Sequence, residues 1–273
     1  MSQLRQLFKS VFTAALPKSL LLTHGPRRRT RGIDIPRSPC EIALTFDDGP
    51  HPEHTPRLLD LLADAGARAT FFVVGERAEQ HPGLIRRIAD EGHELGNHTW
   101  THSEPSQTSA ARFLEEVAQT RRLIQDLASH DCRLTRPPKG ALTIRKALGL
   151  WRQQQTVALW NVDPKDFSML DTAAMSQWLG GYRPQSGDIV LLHDNHPRTA
   201  VAVEQLVENH ALRFVTLSDW LHPTQRVSEE IVAGTLRVPS DDLEPLRMIN
   251  DLSNTDGTRS VPATTQLEVA DAR

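Results

Sequence analysis

The strongest constraint on the fold is an alternation of short apolar runs with longer amphipathic runs, which begins at Glu41. An apolar run over residues 41–46 is followed by leucines at helical spacing over residues 58–62, and similar pairs of patterns then recur along the chain. Short buried strands alternating with amphipathic helices are typical of βα units around a parallel sheet. About seven such units can be traced, so the pattern predicts an α/β fold.

The same runs predict where each element lies. The predicted strands cover residues 41–46, 69–74, 94–97, 132–135, 156–162, 188–193 and 213–217. The predicted helices cover residues 56–65, 83–91, 110–127, 172–179 and 200–209. Parallel α/β folds build their sites at the carboxyl ends of strands, so the polar residues that follow these strands are the candidates for chemistry.

The chain length predicts one catalytic domain with additional segments at both ends. The chain has 273 residues, which is an ordinary length for such an arrangement. We predict a catalytic domain over residues 39–222, preceded by an amphipathic helix and a basic loop over residues 1–38. Residues 223–273 are rich in Ser, Thr, Asp and Pro and are predicted to form a disordered tail.

The predicted N-terminal helix has apolar residues such as Leu4, Leu7 and Val11 at helical spacing, with Arg5 and Lys9 among them. Such a helix either contacts a membrane surface or packs on its own domain, and both interpretations stay open. The segment is too short to span a membrane, and it lacks the long apolar core and cleavage site of a secretory signal. We therefore expect a cytoplasmic or peripheral membrane protein.

Composition and cysteine content exclude two further classes. A formal net charge of -3 lacks the positive surface that nucleic-acid binding requires, so we expect no nucleic acid as a partner. Cys40 and Cys132 form neither a metal-binding spacing nor a disulfide framework, so we interpret both as structural thiols.

Two adjacent carboxylates, Asp47 and Asp48, follow the first predicted strand and precede a Gly-Pro turn. Successive side chains of an extended segment point to opposite sides, so one carboxylate can face a metal while its neighbour faces bound water. An Asp-Asp-Gly turn is also a common loop feature without function. The pair alone does not distinguish these interpretations.

His98 and His102 follow the strand predicted at residues 94–97. A spacing of four brings two imidazoles to one side of a helical turn, which suits two ligands of one ion. In a chain with 12 histidines, a chance pair at the surface or in the core is the alternative. With one carboxylate they would form a three-ligand site with open positions, which is the arrangement of a catalytic metal site that activates water.

His193 ends the strand predicted at residues 188–193, so its ring should emerge at the same rim as Asp47 and is the natural general acid. Asp166 would orient that ring, and Arg136 would pair with Asp47, although either pair could be an ordinary surface ion pair. A stiff Pro-Pro-Lys-Gly segment follows Arg136, and the amide of Lys139 could donate to an oxyanion there.

These residues belong to five motifs: TFDDGP at 45–50, HTWTH at 98–102, RPPKG at 136–140, DPKDF at 163–167 and LLH at 191–193. In sequence and in order, the motifs resemble those of the NodB-homology polysaccharide deacetylases, also called carbohydrate esterase family 4. The resemblance covers residues 41–221. It implies an irregular (β/α)7 barrel with Asp47 as general base and His193 as general acid. The implied ligands of one divalent ion, usually zinc with cobalt, manganese or nickel as alternatives, are Asp48, His98 and His102.

The resemblance also implies supporting roles around these groups. Arg136 would tune Asp47, Asp166 would tune His193, and the amide of Lys139 would help to hold the tetrahedral oxyanion. The residues implied to contact the substrate are Pro138, Phe167 and Leu191.

Two positions depart from the commoner family pattern. Lys139 stands where an aromatic residue is usual, and Phe167 stands where tryptophan is usual. A cation thus replaces a sugar-stacking ring at the groove, so an anionic or exopolysaccharide substrate has as much weight as chitin.

The function predicted from these features is metal-dependent hydrolysis of N-acetyl groups on the amino sugars of a glycan. The alternatives are an O-acetyl esterase acting on an acetylated polysaccharide, and a non-catalytic carbohydrate-binding or assembly protein on the same scaffold. The complete set of base, acid and ligands argues against the non-catalytic alternative, because such buried polar groups are costly to keep.

Overall fold

A computed structural model describes residues 16–27 and 39–223 of the chain. The predicted N-terminal helix, most of the basic loop and the C-terminal tail lie outside these residues, so the domain boundaries and the membrane contact stay predictions. Among the described residues, no helix has the length and apolar character needed to cross a membrane.

The described residues form strands and α-helices that largely alternate along the chain. The strands are β1 Leu21–Leu22, β2 Cys40–Gly49, β3 Thr70–Val73, β4 Glu94–Asn97, β5 Leu134–Thr135, β6 Thr156–Ala158, β7 Asp188–His193 and β8 Leu212–Phe214. The helices are α1 His54–Asp64, α2 Gly75–Gln80, α3 Pro82–Asp90, α4 Ala110–Ala128, α5 Ile144–Arg152, α6 Thr172–Gly181, α7 Arg198–Val207 and α8 Leu217–Leu221. Two short 3-10 helices cover Pro138–Gly140 and Asp166–Ser168.

All of these strands belong to one parallel sheet, which confirms the predicted α/β class. The strand order is β1-β6-β5-β4-β3-β2-β7, and β8 also pairs with β2. An isolated parallel bridge between Val162 and Val190 connects the segment after β6 to β7. Complete closure into a (β/α)7 barrel stays a prediction.

The pattern of β2 explains how the sheet separates two layers. Ile42, Leu44 and Phe46 pack into the large apolar cluster that also contains the buried leucines of α1. The alternate residue Ala43 belongs to a second cluster with Phe72 on the other face. Because strand side chains alternate between faces, Thr45 and Asp47 continue this second row toward the carboxyl edge.

The elements differ from the sequence prediction mainly where tertiary contacts define them. The strand predicted at residues 94–97 is confirmed in full, whereas those predicted at 132–135 and 156–162 shorten to β5 and β6. The strand predicted at 213–217 ends at Phe214, because a capping box between Thr216 and Asp219 starts α8. The sequence prediction missed β1, α2, α5 and α8.

Candidate active site

The candidate site lies at the carboxyl edge of the sheet, where four strands bring polar side chains together. Asp47 lies near the end of β2, His98 follows β4, Arg136 follows β5, and His193 ends β7. The parallel register places Asp47 beside His193 on the neighbouring strand. These four residues therefore share one rim of the fold, as the strand pattern predicts.

The two adjacent aspartates face the same site. Asp48 has a left-handed backbone conformation with a φ of 71°, and the pairing of β2 with β3 shifts register between Asp47 and Gly49. A bulge of this kind interrupts the alternation of a strand. His98 Nε2 consequently lies 3.6 Å from Asp47 Oδ2 and 3.5 Å from Asp48 Oδ1. The alternation expected from the sequence is wrong at this position.

A close contact explains why glycine follows the two aspartates. A Cβ atom on Gly49 would lie only 2.0 Å from Oδ2 of Asp194. The buried Asp194 carboxyl group is held by Thr55, whose hydroxyl donates to Oδ2 at 2.6 Å. Burial, with Asp48 and Asp47 nearby, raises the pKa of Asp194 to about 7. Only glycine lets the strand end pass this group.

His98 and His102 lie in an irregular loop, so the helical turn predicted from their spacing is wrong. Thr99 and His102 have left-handed φ angles of 67° and 53°. Asn97 fixes the start of the loop, because its side chain accepts from the Thr99 amide and donates to the Val117 carbonyl. The loop still brings the two imidazole rings to 4.9 Å between centroids.

Asp48, His98 and His102 offer donor atoms that all lie within 4.8 Å of one another. Asp48 Oδ1 is 3.5 Å from His98 Nε2 and 3.3 Å from His102 Nε2. This oxygen is buried without a hydrogen-bond partner in the described structure, an arrangement that is rare unless another group satisfies it. One carboxylate and two imidazoles match the donors of catalytic zinc sites. These residues therefore fit a divalent cation.

The charges around Asp48 favour the forms that bind cations. Burial by itself raises the pKa of Asp48, but the surrounding imidazoles and Arg77 bring it below its ordinary value. Arg77 also donates to the backbone carbonyl of Asp48. Burial, followed by the adjacent His98, lowers the pKa of His102. An ionised carboxylate and a neutral imidazole are the states that metal binding requires.

Arg136 is fully buried and holds the Asp47 carboxylate. Its Nη1 donates to Asp47 Oδ1 at 2.7 Å and to Thr45 Oγ1 at 2.9 Å. Its Nε and Nη2 donate to the carbonyls of Ala158 and Leu159. Removing one partner of a buried ion pair typically costs about 3–5 kcal/mol. The pairing leaves Asp47 Oδ2 on the side of the donor atoms of Asp48, His98 and His102, which we call the donor cluster.

The backbone of Arg136 orients the first histidine. Its carbonyl oxygen lies 2.7 Å from His98 Nδ1, and because a carbonyl can only accept, Nδ1 must carry the proton. Nε2 is the other ring nitrogen, and it faces Asp48. Metal-binding histidines usually have their tautomer fixed by a contact of this kind.

His193 is held at three points. Asp166 Oδ1 lies 2.6 Å from His193 Nδ1, and Asp166 Oδ2 accepts from the His193 amide at 2.7 Å. The hydroxyl of Thr199 donates to the His193 carbonyl at 2.6 Å. Asp166 itself is fully buried. These contacts fix the ring and leave Nε2 as the nitrogen that does not contact Asp166.

The pKa of His193 is raised to about 9. Burial by itself lowers this pKa, but the hydrogen bond and charge of Asp166, together with Asp47 and Asp48, raise it by more. An imidazole with this pKa is protonated at neutral pH, which is the form that a general acid needs.

Lys139 lies between Pro138 and Gly140 with a left-handed φ of 56°. Its exposed ammonium group pairs with Glu104, in the loop that follows His102. The side chain therefore bridges two loops at the rim, and Glu104 partly neutralises its charge. The role of the Lys139 amide at an oxyanion stays a prediction.

The predicted substrate-contacting residues differ in accessibility. Pro138 and Leu191 are buried, whereas Phe167 is 55% exposed. The Phe167 ring meets the His193 ring edge to face, with 5.7 Å between centroids. An exposed aromatic ring beside the candidate acid could pack against a sugar, and the substrate contacts themselves stay predictions.

Sequence reasoning missed the residues that support this site, namely Thr45, Arg77, Asn97 and Glu116. Thr45 lies within the first recognised motif and Asn97 directly precedes the second, so their positions offered a signal. Glu116 offered a different signal, because it falls in the buried stripe of α4. The other members of that stripe are Phe113, Val117, Thr120 and Ile124. A carboxylate at an apolar position of a helix indicates a specific buried partner.

Comparison with known proteins agrees with this geometry. Residues 34–153 match the family described as polysaccharide deacetylase. The peptidoglycan-N-acetylglucosamine deacetylase of Bacillus cereus is 33% identical over 196 residues, which are 69% of this chain and 91% of that protein. The chain belongs to the polysaccharide deacetylase family. The chitooligosaccharide deacetylase of Rhizobium leguminosarum bv. phaseoli is 37% identical over 212 residues, 74% of this chain and 84% of that protein.

A solved structure supports the family assignment at the level of the fold. The peptidoglycan deacetylase PdaC from Bacillus subtilis superposes with a TM-score of 0.64 at 30% identity. The match covers 72% of this polysaccharide deacetylase and 98% of that chain. The parallel α/β architecture is therefore the one that these enzymes share.

Proposed function

We propose that the chain hydrolyses N-acetyl groups on amino sugars of a glycan and that this activity requires a divalent metal ion. The observation that carries the proposal is the convergence of three groups on one rim. These groups are the donor cluster of Asp48, His98 and His102, the carboxylate of Asp47 held by Arg136, and the ring of His193 held by Asp166.

The cation would be held by the carboxylate of Asp48 and the imidazoles of His98 and His102. When bound, it would supply Lewis-acid polarisation of the acetyl carbonyl and would lower the pKa of a coordinated water. Two imidazoles and one carboxylate favour zinc among the common divalent ions, with cobalt, manganese and nickel as alternatives.

Asp47 would act as the general base. Arg136 fixes its orientation from one side, since Arg136 Nη1 donates to Asp47 Oδ1, and Thr45 Oγ1 accepts from the same nitrogen. Oδ2 lies on the side of the donor cluster, 3.6 Å from His98 Nε2. We assign Asp47 Oδ2 as the atom that takes the proton from the attacking water.

His193 would act as the general acid. Asp166 holds Nδ1, so Nε2 is the nitrogen that can donate a proton to the leaving amine. The raised pKa of His193 keeps that proton in place at neutral pH. The charge of Asp166 also stabilises the imidazolium until the C–N bond breaks, after which the neutral ring must regain a proton from solvent.

We place the substrate among glycans that contain N-acetylhexosamines. This choice rests on relatives that are named for peptidoglycan N-acetylglucosamine and for chitooligosaccharides. The exposed ring of Phe167 beside His193 supports a sugar-binding surface at the same rim.

The proposal is tested by measuring acetate release from chitooligosaccharides, peptidoglycan, poly-N-acetylglucosamine and acetylxylan, before and after chelation. We expect release from at least one of the amino-sugar substrates, loss of activity on chelation and recovery on addition of zinc or cobalt. Release from acetylxylan alone would show an O-acetyl esterase instead. Full activity in protein shown by elemental analysis to lack metal would refute the metal dependence.

A further inference from the structure

The loop that separates the two candidate histidine ligands is only partly held by contacts within itself. Residues 98–104 contain neither helix nor strand. Thr99 and His102 both have left-handed backbone angles, which non-glycine residues adopt only where surrounding structure holds them. Asn97 and Thr99 fix the loop locally, the latter by accepting from the His102 amide. Helix α2 holds two carbonyl groups of the loop, because the Gly75 and Glu76 amides donate to the Thr99 and Trp100 carbonyls at 3.0 and 3.1 Å. The amides of Trp100 and Thr101 still need a partner elsewhere.

Glu116 supplies that partner from helix α4. Its Oε2 accepts from the Trp100 amide at 3.3 Å and from the Thr101 amide at 3.1 Å. The Thr101 hydroxyl also donates to the carboxylate, at 3.0 Å from Oε2. Glu116 is only 2% exposed, so these contacts are shielded from water. Arg112 closes the other side, with Nε 3.1 Å from Oε1.

These contacts set the position of the loop relative to the rest of the site. Helix α4 also receives the Asn97 side chain at Val117, one residue from Glu116. The strand end before the loop and the middle of the loop are thus fixed to consecutive residues of one helix. A displacement at Trp100 or Thr101 would move His102 relative to His98.

We propose that Glu116 is a positioning residue that preorganises His98 and His102 for the metal ion through the backbone of the intervening loop. It touches neither ligand side chain, so it acts through Trp100 and Thr101. The inference rests on the proposed metal site and adds a determinant of its affinity that lies outside the recognised sequence motifs. Substitution of groups that orient metal ligands typically weakens metal binding by 10–100-fold, and we expect a loss in this range.

A purely structural role for Glu116 predicts something different. In that case, its loss would destabilise the protein whether or not metal is bound, while the folded molecules would bind metal with unchanged affinity. Glu115 provides a matched control, because it precedes Glu116 on the same helix and also pairs with Arg112. Its side chain is 65% exposed, and none of its described contacts reaches the loop.

The experiment compares the wild-type chain with Glu116→Ala, Glu116→Gln and Glu115→Ala. Dissociation constants for Zn²⁺ are measured by competition with a chelating dye, and the absorption spectrum of bound Co²⁺ reports ligand geometry. We expect weakening of about 10–100-fold in Glu116→Ala and a smaller loss in Glu116→Gln, which keeps one acceptor oxygen. Glu115→Ala should match the wild type, and the Co²⁺ spectrum should change only in the Glu116 variants.

The melting temperature of each metal-free variant separates positioning from folding. If Glu116→Ala does not fold, the isosteric Glu116→Gln decides by itself. The inference would be overturned if the folded Glu116 variants bound Zn²⁺ with wild-type affinity and gave an unchanged Co²⁺ spectrum. Both variants must show this, or Glu116→Gln alone where Glu116→Ala does not fold. Absence of Zn²⁺ binding by the wild type would instead refute the proposed metal site, so the two failures are distinguishable.

Discussion

The two edges of the parallel sheet both bury carboxylates, but they treat them in opposite ways. At the amino edge, Glu94 begins β4 and receives hydrogen bonds from the Thr70 hydroxyl and from the amides of Leu217 and Ser218. At the carboxyl edge, Asp48 Oδ1 has no hydrogen-bond partner in the described structure and faces two imidazoles instead.

The difference shows how a carboxyl group inside the fold can serve folding or chemistry. Glu94 is surrounded by donors, so its carboxyl group joins β4 to the start of α8. Asp48 keeps an oxygen for a ligand and forgoes the stability that a protein donor would provide. Polar groups at the amino edge of parallel α/β folds generally serve stability, whereas those at the carboxyl edge serve function.

The largest effect should follow from removing a candidate ligand at the carboxyl edge. His98→Ala should lose metal binding and should reduce kcat/KM to the level of chelated protein, because Asp48 and His102 leave too few donors. Elemental analysis and acetate release measure the two effects. If the variant kept stoichiometric metal and wild-type activity, His98 would not be a metal ligand and the contrast between the two edges would fail.

Substitution of the proton carriers should come next and should separate chemistry from metal binding. Asp47→Asn and His193→Ala should each lower kcat by about 10²–10⁴-fold, the usual contribution of general acid–base catalysis. Both should retain metal, since neither residue belongs to the donor cluster. Metal loss equal to that of His98→Ala would show that the roles have been assigned to the wrong residues.

The counterpart at the amino edge is Glu94→Ala. The substitution leaves the Ser218 amide without its acceptor and the Leu217 amide with only the Thr70 hydroxyl, which should lower the free energy of unfolding by about 1–3 kcal/mol. The kcat of the folded protein should not change. Denaturant titration and kinetics on the same sample check both statements. A large loss of kcat with unchanged stability would show that Glu94 serves catalysis and not folding.

The pH profile sharpens the assignment of the acid. Asp166 raises the pKa of His193. The proposed mechanism needs the protonated ring, so activity should fall as pH rises through that pKa. Asp166→Asn removes the charge, lowers the pKa and should move the alkaline limb of kcat/KM to lower pH by about 1–3 units. Metal content serves as the control. An unmoved alkaline limb would mean that another group sets it.

The smallest effect is expected at the rim, where Lys139 and Glu104 are both exposed. Solvent screens an exposed ion pair strongly, so Lys139→Tyr should change kcat/KM by only a few fold. The loss should be confined to anionic glycans and should shrink at high salt, because screening weakens exposed charges. Equal changes on anionic and neutral substrates at low salt would leave Lys139 without a role in substrate selection.

The sequence predicted which residues lie at the rim but not the backbone conformation that positions them. Periodicity located β2, β4 and β7 well, because buried strands carry strong apolar patterns, and it placed Asp47 and His193 together. It failed at Asp48 and at His102, where left-handed backbone angles replace regular structure. Aspartate and histidine do not demand such angles, so local sequence gives little warning of them.

The supporting residues were harder to predict because their partners are distant in the chain. Glu116 lies 16 residues from Trp100, and Arg136 lies 89 residues from Asp47. The second pairing was predicted from the residues and was also implied by the motif resemblance, whereas nothing in the motifs pointed to the first. The short strand β1 was missed for a similar reason, since its pairing with β6 defines it.

Arg136 ties two parts of the site to a single residue: its guanidinium holds Asp47, while its carbonyl holds His98. If separate loops held Asp47 and His98, the movement of each loop would add to the variation in the distance between the two side chains. Much of that variation is removed here, because the buried Arg136 contacts both side chains. The spacing between Asp47 and His98 should therefore tolerate movement of the surrounding loops better than their own packing would suggest.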